Sequence, residues 1–158
     1  DETKVSKVMA EINSLTYRGY AVQDLAEICS FEEVAYLLLN GELPTKKEIE
    51  NFTEEEKSER DISKNLKNII KNYPKNAHPM DTTRSSISHM GLEDPETEDN
   101  SKEANYRKAV RLLSKISTAV AANFRCRKGQ KIIEPDKNLS FSENFFHMCF
   151  GKIPSQEV

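Results

Sequence analysis

"KEANYRKAVRLLSKISTAVAANFRCR", residues 102–127, contains no glycine and no proline, and its apolar side chains at 106, 109, 110, 113, 116, 120 and 124 recur at helical spacing. The spacing predicts one long core helix. Such a stripe needs other apolar faces to cover it, and the sequence on both sides supplies them. Upstream, "DISKNLKNIIKNYP" (61–74) places Ile62, Leu66, Ile69 and Ile70 at helical spacing and stops before Pro74. A further helix opens at Pro79, a residue well tolerated in a first turn, and Gly91 is expected to close it. Downstream, Ser140 is placed to cap "FSENFFHMCFG" (141–151), dense in aromatics and methionine, which Gly151 ends.

Further toward the N-terminus, "SFEEVAYLLLNGELP" (30–44) has a serine cap, two acids in its first turn, an apolar face and a glycine stop before Pro44. "VQDLAEIC" (22–29) is a short helix before it. "TKKEIENFTEEEKSER" (45–60) starts at a threonine cap and is charged nearly all round apart from Ile49 and Phe52, so it is expected on the surface with a narrow buried stripe. Residues 3–20, rich in β-branched and aromatic side chains on either side of a polar turn, predict a small hairpin or two short extended segments. The expected architecture is mainly α, with a small N-terminal β-hairpin.

A chain of 158 residues with 37% hydrophobic residues is long enough for one domain with a real core, and its length argues for one unit. Charged residues make up 31% yet nearly cancel to a net charge of -3, so no broad positive field exists for a nucleic-acid backbone. No apolar run approaches the roughly eighteen residues a membrane helix needs, and no secretory signal opens the sequence. A cytoplasmic protein with neither nucleic-acid nor membrane partners is expected. The acidic stretch "EDPETEDNSKE" (93–103) is the one expected solvent-exposed insertion. There is no internal repeat.

Candidate chemistry concentrates in "KNAHPMDTTRSSISHMG" (75–91), which holds two of the three histidines. Each of its polar residues has a structural job available. His78 lies just outside the helix start, Asp81 is an acid in a first turn, Arg84 is at i+3 from it, and His89 is near the helix C-terminus. His147 sits among aromatics, and Cys149 two residues on points to another side of the helix, so the two make no nucleophile pair. Cys29, Cys126 and Cys149 read as reduced thiols packed as small hydrophobes. No glycine-rich phosphate loop and no metal-ligand spacing is present, so a metal site is not expected.

Three ordered segments then carry a family resemblance: "LTYRGYAVQDLAEICSFEEVAYLLLNGELPT" (15–45), "NYPKNAHPMDTTRSSISHMG" (72–91) and "NLSFSENFFHMCFGKIP" (138–154). Together they resemble the N-terminal part of citrate synthases and the similar 2-methylcitrate synthases, and the resemblance covers essentially the whole chain. It implies the N-terminal part of a multi-helical large domain, residues 1–158, with the small domain and the catalytic segments lying elsewhere. It implies a homodimeric acyltransferase of the tricarboxylic acid cycle that condenses acetyl-CoA with oxaloacetate, with no cofactor beyond the CoA thioester substrate. The family's aspartate and histidines follow the segment that here reads "NFFHMCFGKIP". No catalytic residue is therefore expected among His78, His89 and His147, and this polypeptide alone is expected to be inactive. The alternatives are a 2-methylcitrate synthase using propionyl-CoA, or a non-catalytic helical interaction module. Arg18, between two tyrosines and a glycine, is the one expected substrate-binding residue, reaching a carboxylate or a CoA phosphate across a subunit boundary. The plainer expectation for it is an ion pair with an acid of the following helices.

Overall fold

A computed structural model of the chain describes residues 3–153. It divides into two compact units, Asp1–Glu54 and Glu55–Val158, where length argued for one. The division follows from where contacts close: the sheet and its helices satisfy each other locally, while one long helix gathers everything later in the chain.

The first unit holds three antiparallel strands in the order β1 (Ser6–Met9), β2 (Ser14–Tyr17) and β3 (Tyr20–Ala21). The expected hairpin is present, with β3 added as a two-residue extension that periodicity cannot register. β1 turns into β2 through a single 3-10 turn, and Asn13 takes the left-handed φ of 48° that ends it, a conformation asparagine tolerates well. α1 (Val22–Ile28) and α2 (Phe31–Asn40) follow. Ser30 and Glu33 form a reciprocal capping box: the Ser30 N–H donates to the Glu33 carboxylate at 2.7 Å and the Glu33 N–H to the Ser30 hydroxyl at 3.2 Å. Gly41, at φ 99°, closes α2 with its N–H on the Leu37 carbonyl. α3 (Lys46–Ser58) begins at Thr45, whose hydroxyl and N–H both reach Glu48. Phe52, on α3, is buried edge-to-face against Tyr36.

The second unit contains α4 (Lys64–Asn72), α5 (Pro79–Glu93), α6 (Lys102–Arg127) and α7 (Phe141–Phe150). α6 has the bounds its sequence predicted, and α4, α5 and α7 all pack on it. Ile62, Leu66, Ile70, Met90, Ala119 and Ala122 form one core cluster, and Ala121, Met148 and Cys149 another. The face α6 buries is not the one expected. Of the large apolar stripe only Val110 is fully buried, and Tyr106, Leu113, Ile116, Val120 and Phe124 are half-buried. Besides Val110 and Ala104, the buried residues of α6 are Ser114, Ser117, Thr118, Ala119, Ala121, Ala122 and Asn123. A helix touched by three others buries a wide arc, and small side chains let the neighbours approach closely while bulkier ones lie at the margins. The buried hydroxyls are satisfied by donating to carbonyls: Ser114 to Val110, and Thr118 to Arg60 at 2.7 Å.

One boundary also differs from expectation. α5 runs through Gly91 to Glu93, and Gly91 lies in open space without a positive φ. The stop comes from Pro95: the residue before a proline is disfavoured in helical geometry, and Asp94 accordingly sits at φ -79°, ψ 119°. The acidic stretch after it is exposed over most of its length, as expected, and is tied down at two points. Asp94 and Glu96 are bound back onto α6 by Arg107 and Arg111.

Candidate functional site

Arg18 and Gly19 are the two loop residues between β2 and β3, with Tyr17 and Tyr20 paired across them. Both have positive φ, 50° and 95°, as a two-residue hairpin turn that follows the sheet's twist requires. Glycine adopts this freely; arginine is held in it. The Arg18 N–H donates to Val5 at 2.9 Å, and its Nη2 donates to the Leu38 carbonyl at 2.8 Å, in the last turn of α2. The expected ion pair with an acid of the following helices is therefore replaced: among the described residues the guanidinium meets a helix C-terminal carbonyl, where a cation is favoured by the helix dipole. Its Nε is buried and has no hydrogen-bond partner among the described residues.

The histidine-bearing segment resolves into structural roles. His78 is the N-cap of α5, its Nδ1 accepting the Met80 N–H at 3.2 Å, and Pro79 occupies the first helical position. Asp81 and Arg84 form the i,i+3 pair at 3.2 Å, largely exposed. His89 lies 3.2 Å from the Glu93 carboxylate, which also accepts the Ser63 hydroxyl at 2.8 Å. Serine and histidine share the carboxylate rather than each other, so no relay from hydroxyl to imidazole forms. His147 is half-buried on α7, and the neighbouring Cys149 is buried. All three thiols are free, and burial pushes each of them up, which disfavours the thiolate a nucleophile needs. Among the described residues no group of three His, Cys, Asp or Glu is placed to hold a metal ion, and no helix is long and apolar enough to cross a membrane.

The helix expected on the surface carries a buried ion pair at its end. Glu56 and Arg60 are both fully buried, joined by three hydrogen bonds at 2.6–3.1 Å that the guanidinium donates to the carboxylate. Arg60 Nη1 also donates to the carbonyls of Asp136 and Leu139 at 3.0 and 2.8 Å, which fixes the loop leading into α7. A signal was present: Phe52, Glu56 and Arg60 recur at four-residue spacing, so the apolar stripe of α3 continues into an i,i+4 ion pair.

A cleft of about 620 Å³ has a floor of Ile62, Leu66, Met90 and Leu112 and cations on its rim. Those cations are answered from within the chain. Arg111 forks onto Asp94 at 2.9 Å and reaches Glu96 at 2.8 Å, Lys115 pairs with Glu59 at 3.3 Å, and Lys108 donates to the Asp99 carbonyl. Hydrogen bonds from Arg107 and Arg111 hold the Glu96 carboxyl down at about 2. Burial pushes Asp94 up, but the Glu96 N–H and the Arg111 guanidinium outweigh it, and its carboxyl lies below the ordinary carboxylate range.

The family model for citrate synthase, C-terminal domain, matches residues 1–158. Over 158 residues the chain is 46% identical to a 2-methylcitrate synthase of Mycobacterium tuberculosis, covering all of this chain and 40% of that protein. It is equally 46% identical over 158 residues to a citrate synthase of Mycolicibacterium smegmatis, covering 42% of it. The chain thus spans about 40% of the length of these curated relatives. The crystal structure of citrate synthase from Pyrobaculum aerophilum matches with a TM-score of 0.93 at 32% identity, over 99% of this chain and 41% of that one. A helical fold built on α6 and an identity sustained from end to end make this chain a member of the citrate synthase family.

Proposed function

We propose that these residues are the N-terminal part of the large domain of a cytoplasmic, homodimeric citrate synthase. It condenses acetyl-CoA with oxaloacetate to give citrate and CoA, the step that brings acetyl carbon into the tricarboxylic acid cycle. The observation that carries the reading is the 46% identity over the whole chain to a citrate synthase. In the reaction, an aspartate takes a proton from the acetyl methyl, the enol carbon attacks the oxaloacetate carbonyl, and water then cleaves the citryl thioester to release CoA. The residues in hand supply scaffold rather than that chemistry. CoA enters as a substrate, and no further cofactor is part of the proposal. Arg18 is the one residue assigned to substrate, because an arginine between two tyrosines and before a glycine carries a guanidinium suited to a carboxylate or a CoA phosphate.

Equal identity to a 2-methylcitrate synthase favours a second reading, in which propionyl-CoA replaces acetyl-CoA. The two substrates differ by one methylene, worth about 1–3 kcal/mol in an apolar pocket, or roughly 10- to 200-fold in kcat/KM. CoA release by the full-length protein, with oxaloacetate and each thioester in turn, decides between them. A preference for acetyl-CoA supports citrate synthase, and a preference for propionyl-CoA supports the second reading. No CoA release with either rejects both and leaves a non-catalytic helical module. Release by residues 1–158 alone, abolished by His78→Ala or His147→Ala, would overturn the structural assignment of those histidines. Arg18→Ala in the full-length protein is expected to raise one Michaelis constant about tenfold, the effect of one charge-assisted hydrogen bond; unchanged constants would remove Arg18 from the substrate.

A further inference from the structure

The C-terminal end of α6 borders a second cleft in the same unit, of about 460 Å³, lined by Lys75, Arg127 and Lys128 together with Val120, Phe124 and Pro79. Its lining contains three cations and no acid. Among the described residues none of the three forms an ion pair, whereas Lys67, Arg84, Arg107, Arg111 and Lys115 all do. Lys128 Nζ lies 4.3 Å from the centre of the Phe124 ring, which directs that ammonium along the aromatic wall.

The plainest account of cations in a last turn is complementarity to the helix dipole. That dipole amounts to only about half a unit charge, and Arg125 already serves this end of the fold by donating to the Lys131 carbonyl and, at 3.1 Å, to the Cys149 carbonyl. Lys75 is outside α6 altogether, in the connection between α4 and α5. Three like charges line one concavity, no acid lines it with them, and like charges brought to one place repel. An occupant with several negative charges would offset that repulsion. The first turn of α5, which begins at Pro79 on the rim, adds the positive end of its dipole to the same place.

We propose that this cleft binds a multivalent phosphate anion, its charge shared by Lys75, Arg127 and Lys128 and its remainder lying against Phe124 and Val120. Lysine and arginine are the ordinary protein partners of phosphate, and three of them suit an anion with more than one charge better than a single carboxylate. The inference is independent of which acyl-CoA the protein uses.

Calorimetric titration of the full-length protein with inorganic pyrophosphate tests it, with a reading free of catalytic activity. One site is expected, weakening as salt is raised. Lys75→Gln and Lys128→Gln, at exposed positions, are each expected to weaken binding about tenfold, and the triple variant with Arg127→Gln to abolish it. The charge-retaining variant Lys75→Arg/Arg127→Lys/Lys128→Arg should keep binding within a few-fold. Lys46→Gln/Lys47→Gln, exposed cations of α3, serve as the control. Absence of saturable binding, or the same loss from the α3 control, overturns the proposal. If the triple variant fails to fold, the two single glutamine variants decide: unchanged affinity in both overturns it as well.

Discussion

The first half of α6 and its last turn face opposite arrangements of charge. Near the start, Arg107 and Arg111 are answered by Asp94 and Glu96, acids brought back from the α5–α6 connection. At the end, Arg127 and Lys128 stand with Lys75 around a cleft that no carboxylate lines. A third arrangement, Glu56 with Arg60, is fully buried and also binds two backbone carbonyls. Paired charges in this molecule hold segments in place. The unpaired set forms no ion pair among the described residues, which is why it is assigned to a ligand.

Removing one partner from each arrangement should separate them by size. Glu56→Ala leaves the Arg60 guanidinium buried without its counter-charge and is expected to destabilise by about 3–5 kcal/mol in denaturant unfolding. A double variant, Glu56→Leu/Arg60→Met, should recover part of that loss, because the uncompensated charge goes with it. If Glu56→Ala unfolds at the wild-type midpoint, Arg60 does not depend on the pair. Arg111→Ala removes a partly exposed fork, with side-chain exposures of 18% and 15% for Arg111 and Asp94. It should lower stability by only about 1 kcal/mol while speeding proteolysis within 94–101.

Acid provides a second way to break the paired arrangement. Asp94 and Glu96 have folded values below their ordinary ones, Glu96 at about 2. A depressed carboxyl stabilises the fold above its unfolded value and loses that contribution as the pH falls through the folded one. The clasp should therefore release between about pH 4.5 and about pH 2, and not on the alkaline side. NMR titration of the two carboxyl groups checks this; midpoints above pH 4 would mean that the forks do not persist in solution. The smallest effect belongs to the cleft. Without a ligand, the triple glutamine change at Lys75, Arg127 and Lys128 should alter stability by no more than about 0.5 kcal/mol, in the stabilising direction if the repulsion is felt.

Legibility in the sequence tracks the range of the interaction responsible. Ser30 with Glu33, and Ser140 with Glu143, cap their helices across three residues, and both were readable as strings. Gly151, at φ 70°, ends α7 by a bond to His147 four residues back, equally local. Gly91 has the same residue type without the same role, because Pro95 sets the end of α5 and glycine is permitted in a helix at modest cost. Glu56 and Arg60 were passed over because a charged i,i+4 pair looks the same on a solvated face as in a core. The partner of Arg18 at Leu38, twenty residues on, is a carbonyl, and no side-chain pattern marks a carbonyl.

By itself, then, the sequence determined the helical class, the bounds of α6, the caps of α2 and α7, and the structural character of His78, Asp81 and Arg84. Each depends on neighbours within about four residues, the reach of a helical turn. Tertiary structure alone decided which arc of α6 is buried, that the acidic connection is clasped, that Arg60 pins the loop before α7, and that Lys75 joins Arg127 and Lys128. These pairings bring together residues 11 to 79 positions apart, and burial and charge at that separation are set by packing geometry, which no local pattern encodes.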